Sequence, residues 1–159
     1  MLREATIDDV PALRDLERAA NLVALAHVFP PDRHPFPDDA VLARWALVLE
    51  EPGVTVLVRD AAAGIDVLAA HDDRSLRHLA VHPDVWGRGL ASAAVATVVQ
   101  ALARHGTTDA ELWCLEENRR ARRLYAHLGW QATTDRRPAP WPPHPTERRY
   151  TLAVPSLDA

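Results

Sequence analysis

The sequence predicts a single α/β (α+β) domain, in which a mixed sheet of about seven strands is covered on both faces by about four helices. Its 159 residues fit one domain and are enough to bury a core without metal or disulfide support. Hydrophobic residues make up 48% of the chain and charged residues 25%, which are ordinary values for a globular protein. The third observation is the order of the elements, because runs with strand and helix periodicity follow one another without a linker or a repeat.

The first half of the chain is predicted to contain two helices between strands. Asp8 or Asp9 can cap the first helix, which has Pro11 in its first turn. The four prolines of residues 29–37 exclude regular structure before the second helix. In chain order we expect a strand at residues 2–6, a helix from 8 or 9 to about 25, a helix from 38 or 39 to 50, and a hairpin of strands 55–59 and 65–70.

The second half alternates strands and helices. The strongest helix has apolar residues every third or fourth position from Leu90 and ends at His105 and Gly106. The segment from residue 76 to 115 should form a right-handed parallel crossover. We expect a strand at residues 76–81, this helix, a strand at 110–115, a helix at 118–128, and strands at 130–133 and 148–154 joined by a proline-rich loop at 137–145.

A glycine-rich turn leads from the strand at residues 76–81 into the strongest helix. Gly87, Gly89 and Ala91 remove the side chains that would keep a diphosphate away from the backbone. Helix N-termini carry unpaired N–H groups and the positive end of the helix dipole, so they attract phosphate, and Arg88 can add a charge-assisted bond. Taken alone, this string also fits a turn that needs two glycines for its geometry.

Two motifs together resemble the GCN5-related N-acetyltransferases. The pattern V-x-P-x-x-x-G-x-G-x-G/A of that family's motif A is filled by Val81, Pro83, Gly87, Gly89 and Ala91. The pattern N-x-x-A-x-x-x-Y-x-x-x-G-F/W of its motif B is filled by Asn118, Ala121, Tyr125, Gly129 and Trp130. The motifs span residues 79–130, about a third of the chain, and are separated by a predicted helix and strand, as in the family.

This resemblance implies the fold and the activity of the family. The sheet would be mostly antiparallel with one splayed parallel pair of strands. The chain would be an acetyl-CoA-dependent N-acetyltransferase that moves an acetyl group to a primary amine of a small molecule, by direct attack in a ternary complex. A protein or peptide N-acetyltransferase and a non-catalytic acyl-CoA sensor are the alternatives, since fold alone does not decide function.

The resemblance also assigns the cofactor-binding residues. The backbone of the splayed strand would pair with the pantetheine arm, and the turn and the helix N-terminus would hold the diphosphate. Asn118 would cap its helix and touch the cofactor. Trp86 stands where Arg or Gln is usual in the family, and Arg88 can compensate for the lost polar contact. The expected cofactor-binding residues are Leu79, Ala80, Val81, Trp86, Gly87, Arg88, Gly89, Leu90, Ala91 and Asn118.

Tyr125 is the expected general acid, because it occupies the position of the family's motif B tyrosine and a phenol can donate a proton to the departing thiolate. Without the motif it would be interpreted as a packed aromatic residue. Many relatives carry a glutamate, the general base, at the position of Ser75. The candidates to replace it are His78 and Asp72, with His71, Asp73, Glu111 or a water relay as further alternatives.

Composition also bears on partners and location. The formal charge of −4 does not favour binding to nucleic acid. No apolar stretch approaches the length of a membrane span. The N-terminus lacks the pattern of a signal peptide and the chain has one cysteine, so we expect a cytoplasmic protein. The eight histidines are too scattered to predict a metal site. A homodimer stays open.

The expected substrate entrance lies between the first two helices and the loop before the last strand. Residues 27–39 and 137–144 would line it, with Trp141 as a lid. Acidic residues near these segments would favour a cationic amine, although they fit helix caps and turns equally well. These residues are Asp38, Asp39, Asp72, Asp73, Glu116 and Glu117.

Overall fold

The computed structural model describes residues 1–157 and contains seven strands and four α-helices within them. The strands are β1 (Arg3–Glu4), β2 (Thr55–Ala61), β3 (Gly64–His71), β4 (Leu76–Val81), β5 (Asp109–Leu115), β6 (Gln131–Pro138) and β7 (Thr146–Ala153). The helices are α1 (Val10–Ala24), α2 (Asp38–Glu50), α3 (Leu90–Arg104) and α4 (Arg119–His127). Short 3₁₀ turns cover Ile7–Asp9 and Pro83–Val85. The predicted elements and their order are confirmed.

The strands form two antiparallel sheets that meet along one line. The first has the order β1-β2-β3-β4 and the second the order β5-β7-β6. The parallel neighbours β4 and β5 are joined by a bridge between Ser75 and Glu111, where the Glu111 amide donates to the Arg74 carbonyl at 3.1 Å. Among residues 1–157 no further ladder joins these two strands. The mostly antiparallel sheet with a splayed parallel pair is thus confirmed.

Helices cover both faces of the sheets and give the domain two cores. On one face, α1 and α2 pack on β2 and β3, with Leu13 and Trp45 fully buried. On the other face, α3 and α4 pack on β3, β4 and β5, with Val98 and Leu102 fully buried. Strand β3 contributes to both cores and is buried along all but its first residue. The layers are those expected for a sheet that must bury both faces.

The main differences from the predicted boundaries lie at the β6–β7 hairpin and at the start of α1. The β6–β7 hairpin is longer than expected, because Arg137 pairs with Glu147 across the strands at 2.9 Å and so continues the ladder. Pro138 can end β6 because β6 is an edge strand, where a missing N–H group is tolerated. At the N-terminus, Asp9 accepts a bond from the Thr6 amide at 2.8 Å instead of capping α1, which begins after a 3₁₀ turn.

Candidate active site

The glycine-rich turn before α3 has the backbone shape that its sequence predicts. Gly87 and Gly89 have φ angles of 78° and 75°, in the left-handed region that other residues adopt at a cost. Both glycines are exposed, and a Cβ atom added at either position would have nothing within 4 Å. The turn therefore opens onto free space, where a ligand can approach the backbone closely.

The turn and the first turn of α3 present a continuous run of free amides. The described residues offer no hydrogen-bond acceptor to the amides of Gly87, Arg88 and Gly89. The α-helical bonding of α3 begins at Ala93, whose amide donates to the Gly89 carbonyl at 3.0 Å. The N–H groups of residues 90–92 consequently lack a partner within the helix. No acidic residue lies in this first helical turn, so the positive end of the helix dipole is not neutralised there.

Arginines without a carboxylate partner surround this run of amides. Arg88 is exposed in the turn itself. The guanidinium of Arg120 stacks on the Trp86 ring, 3.9 Å from its centroid, which brings the start of α4 beside the turn. Neither Arg88 nor Arg120 forms an ion pair with any residue of the described chain. The surface around the turn is thus positive, although the chain as a whole carries a net charge of −4.

Strand β4 has one edge bonded to β3 and one open edge. The His82 amide donates to Asp66 of β3 at 2.8 Å, so by alternation the backbone groups of Ala80 also face β3. Those of Leu79 and Val81 face the open edge. The indole Nε1 of Trp86 donates to the Val81 carbonyl at 2.7 Å. The Leu79 backbone and the Val81 amide remain available along the gap between β4 and β5.

Tyr125 lies on α4, packed into the core beside this gap. It is 6% exposed, and its ring lies 6.1 Å from that of Trp130 and 6.2 Å from that of Tyr150. Burial, together with the nearby Cys114, raises the pKa of its phenol above the ordinary value, so the hydroxyl keeps its proton at neutral pH. The structure shows no hydrogen bond from this hydroxyl to any of residues 1–157. Within the described chain, this hydroxyl therefore has no acceptor that holds its proton, and its role as the general acid stays a prediction.

Asn118 fixes the start of the helix that carries Tyr125. Its side-chain oxygen accepts a bond from the Ala121 amide at 3.1 Å, so its predicted capping role is confirmed. The predicted contact between Asn118 and a cofactor stays a prediction.

A cavity of about 730 Å³ lies on the other side of the gap between β4 and β5. Its walls come from both strands, from α1, from α2 and the loop before it, and from the loop between β6 and β7. Trp113 and Glu111 of β5 and His78 of β4 line it, and Trp141 lines its outer part. The cavity lies where the sequence predicts the substrate entrance. None of the six acids expected to attract a cationic amine belongs to its wall.

The two named candidates for the general base occupy different environments. The His78 ring lies 4.9 Å from that of Trp45, and burial together with Arg44 and Arg77 lowers its pKa to about 3. This imidazole is neutral at physiological pH but is a weak proton acceptor. Its role as the base stays a prediction.

Asp72 lies in the turn between β3 and β4, outside the cavity wall. Its carboxylate accepts bonds from the amides of Arg74 and Ser75 and from the Ser75 hydroxyl, at 2.6–2.8 Å. Burial would raise the pKa of Asp72, but these hydrogen bonds outweigh it and hold the pKa below its ordinary value. Its predicted role as a base gains no support from this geometry.

Among the carboxylates of the cavity wall, Glu111 is the one whose backbone pairs with the position of the missing glutamate. It forms the parallel bridge with Ser75, the position at which many relatives carry the base, and it lines the cavity. Its side chain is about one-third exposed, and its one ion pair, with Arg149, is long at 3.4 Å. The sequence named Glu111 only as one of several alternatives, because the pairing of Ser75 with Glu111 depends on tertiary structure.

Sequence reasoning missed a polar cluster on the helical side of the cavity. The carboxylate of Glu17, on α1, contacts two residues of α2. It accepts a hydrogen bond from the Trp45 indole at 2.7 Å and forms a salt bridge with Arg44. The sequence does contain an indication of this cluster, since Glu17 follows directly after the buried Leu16 of α1. A charged residue beside a buried stripe requires a partner from a neighbouring element.

Within residues 1–157, no group of three or more His, Cys, Asp or Glu residues is arranged to hold a metal ion. No helix in that part of the chain is long and apolar enough to span a membrane.

Comparison with known proteins connects this geometry to a family. The model of the acetyltransferase (GNAT) family matches residues 13–130, which is most of the chain and includes both motifs. The chain belongs to this family. As an acetyltransferase of the GNAT family it is an enzyme of the acyltransferase class, and the resemblance of its two motifs is confirmed. A search of curated proteins gives no significant match.

Solved structures of low sequence identity share the fold over nearly the whole chain. A GCN5-related N-acetyltransferase from Rhodopseudomonas palustris is 16% identical, with 97% of this chain and 95% of the other covered and a TM-score of 0.79. The structure of yncA from Salmonella typhimurium, solved with its cofactor acetyl-CoA, is 20% identical, with 100% and 96% covered and a TM-score of 0.69. The ribosomal-protein-S18-alanine N-acetyltransferase from Escherichia coli is 20% identical, with 99% and 94% covered and a TM-score of 0.71.

Proposed function

We propose that this acetyltransferase moves the acetyl group of acetyl-CoA to a primary amine of a small molecule, by direct attack in a ternary complex. The observation that carries the proposal is the run of free amides at residues 87–92, which opens at one end of the gap between β4 and β5. A cavity of about 730 Å³ lies at the same gap on the opposite face. The two openings provide separate approaches for the acyl donor and the amine.

The diphosphate of the cofactor would lie on the amides from Gly87 to Ala91, with Arg88 and Arg120 supplying positive charge. The pantetheine arm would continue along the open edge of β4 and bond to the Leu79 backbone and the Val81 amide. The Val81 carbonyl is held by Trp86, so the arm would either forgo that acceptor or displace the indole. The bound cofactor supplies the activated acetyl thioester.

Tyr125 and Glu111 would then act from opposite sides of β5. Residues alternate between the faces of a strand, and β5 directs Cys114 toward the core of α3 and α4 but Glu111 toward the cavity. Tyr125 belongs to that core. A proton donor therefore stands on the cofactor side of the gap, and a carboxylate stands on the acceptor side.

The reaction follows from this arrangement. An ammonium acceptor loses a proton to Glu111, directly or through water, and the free amine attacks the thioester carbonyl carbon. The new C–N bond forms, the C–S bond breaks, and the Tyr125 hydroxyl donates its proton to the departing thiolate. The proton released by the nitrogen restores the phenol through solvent. Alignment of amine and thioester in one gap accounts for much of the rate, since proximity is worth up to roughly 7–11 kcal/mol in favourable cases.

The test measures thiol release from acetyl-CoA with a panel of small amines and an N-terminal alanine peptide. We expect release that rises with a small amine, and product with one added acetyl group by mass spectrometry. Glu111→Gln should reduce kcat most at pH values where the acceptor is an ammonium, whereas Glu50→Gln, at an exposed glutamate outside the cavity wall, should behave as wild type. Tight binding of acetyl-CoA without amine-dependent thiol release would contradict catalysis, and release with the peptide alone would contradict a small-molecule acceptor.

A further inference from the structure

We infer that the acceptor is an amine that also carries a carboxylate, with a large apolar or aromatic body: an α-amino acid of the phenylalanine or leucine type. This inference rests on the proposed function and specifies its substrate. Three observations on the cavity wall carry it: each of its carboxylates has an arginine partner, its arginines outnumber its carboxylates, and most of its other residues are apolar.

Each carboxylate in the wall has an arginine partner. Glu17 is bound by Arg44, Glu147 by Arg137 at 2.9 Å, and Glu111 by Arg149 at 3.4 Å. A purely cationic amine would have to compete with these arginines for negative charge. The wall therefore lacks the unpaired carboxylates that select for a polyamine or another cation.

The wall holds more donors than these carboxylates satisfy. Arg33, in the loop before α2, forms no ion pair or side-chain hydrogen bond with any residue of the described chain. The partner of Arg77 is Glu51, at 2.9 Å, which lies outside the wall. An anionic group on the ligand would supply an acceptor for Arg33, and a guanidinium binds a carboxylate with two parallel hydrogen bonds.

Most of the other residues in the wall are apolar and suit an apolar part of the ligand. Phe29, Phe36, Trp113 and Trp141 line the cavity together with Leu25 and Val41. The guanidinium of Arg137 lies 4.2 Å from the centroid of the Trp113 ring, so this aromatic face is held in place from one side. A cavity of about 730 Å³ is in the range that binds small molecules and is far larger than glycine or alanine requires.

The same positive charge helps to free the amine. Arg44 and Arg77, together with burial, hold His78 in its neutral form. An ammonium group bound near His78 would experience the same two charges, which favour its deprotonation to the nucleophilic amine. A carboxylate on the acceptor would be attracted by these arginines and would keep the molecule bound in a cavity that repels cations.

The experiment compares L-phenylalanine, L-phenylalanine amide and phenethylamine as acceptors, which share one apolar body and differ in charge. We expect kcat/KM for phenylalanine to exceed that for the other two by about tenfold or more, since a hydrogen bond between charged groups is worth about 1.5–3 kcal/mol. Glycine should be a poor acceptor. Arg33→Gln should raise KM for phenylalanine and so reduce the preference for it. Arg104→Gln should keep the preference, because Arg104 is exposed at the end of α3 and has no ion pair within residues 1–157.

Each outcome separates this inference from the proposed function. Faster thiol release with phenethylamine than with phenylalanine would overturn the inference and leave the acetyltransferase reaction in place. An undiminished preference in Arg33→Gln would overturn the assignment of the carboxylate to Arg33. Acetyl-CoA binding without thiol release for any of these acceptors or for the wider amine panel would overturn the proposed function, and the inference with it.

Discussion

The substitution Gly89→Ala tests the phosphate site most directly. Gly89 has a φ of 75° and a residue with a Cβ atom adopts this left-handed conformation at a cost of about 1–2 kcal/mol. Because no atom lies within 4 Å of the added Cβ, no steric clash increases this cost. For a chain of 159 residues, each kcal/mol corresponds to a fall in Tm of about 2–4 °C, so we expect Gly89→Ala to melt about 2–8 °C lower than wild type.

Gly89→Ala should also bind acetyl-CoA more weakly, by more than its small loss of stability would explain. The new methyl group would project into the space that the diphosphate needs, at the centre of the free amides. A charge-assisted hydrogen bond is worth about 1.5–3 kcal/mol, so the loss of one bond should weaken binding by about tenfold to a hundredfold. Isothermal titration calorimetry with acetyl-CoA measures this loss, and urea unfolding measures the stability.

Gly106→Ala is the matched control for this substitution. Gly106 has a φ of 80° at the other end of α3, and a Cβ atom there would also have nothing within 4 Å. It should lose a similar free energy of unfolding and keep the affinity of wild type for acetyl-CoA. Equal affinities of the two variants would refute the assignment of the diphosphate to the turn at residues 87–91.

Three further predictions concern single side chains. Tyr125→Phe should lower kcat by about 10²–10⁴ while the Kd for acetyl-CoA, measured by calorimetry, changes little; an unchanged kcat would remove Tyr125 from the reaction. The pKa of His78 is about 3 in the folded protein, against an ordinary value of 6.5 for the unfolded chain. Below pH 6.5 the unfolded chain binds a proton on His78 that the folded protein does not bind, so the free energy of unfolding decreases as the pH falls toward 3. Between about pH 6.5 and pH 5, urea unfolding should show wild type losing about 2 kcal/mol more than His78→Gln; parallel curves would contradict this. Burial raises the pKa of Cys114 to about 12, so Ellman's reagent should react with this thiol only slowly until guanidinium chloride unfolds the chain, and rapid reaction of the native protein would show that Cys114 is exposed.

Local patterns in the sequence were sufficient to predict the elements, the shape of the glycine-rich turn and the cap of α4. The left-handed φ angles at Gly87 and Gly89 follow from the choice of glycine itself, and the cap at Asn118 follows from residue type and spacing. These features depend on contacts between neighbours in the chain. The place of Tyr125 in the core also follows from its motif and from the apolar spacing of α4.

The acceptor side of the site could not be predicted in the same way. Glu111 and Ser75 are far apart in the sequence, and only the parallel approach of β4 and β5 brings them into one bridge. The pairing of Glu17 with Arg44 likewise needs α1 and α2 to pack side by side. Proline-rich segments such as residues 29–37 carry no periodicity that would show which side chains they direct into a cavity.

The sequence by itself determined the family, the order of the elements and the backbone shape of the glycine-rich turn, because each depends on preferences that a few adjacent residues impose. Only the tertiary structure decided which carboxylate faces the gap, that Trp86 occupies the Val81 carbonyl, and that arginines outnumber carboxylates in the cavity wall. The physical reason is that charge pairing and burial are properties of residues brought together from distant parts of the chain.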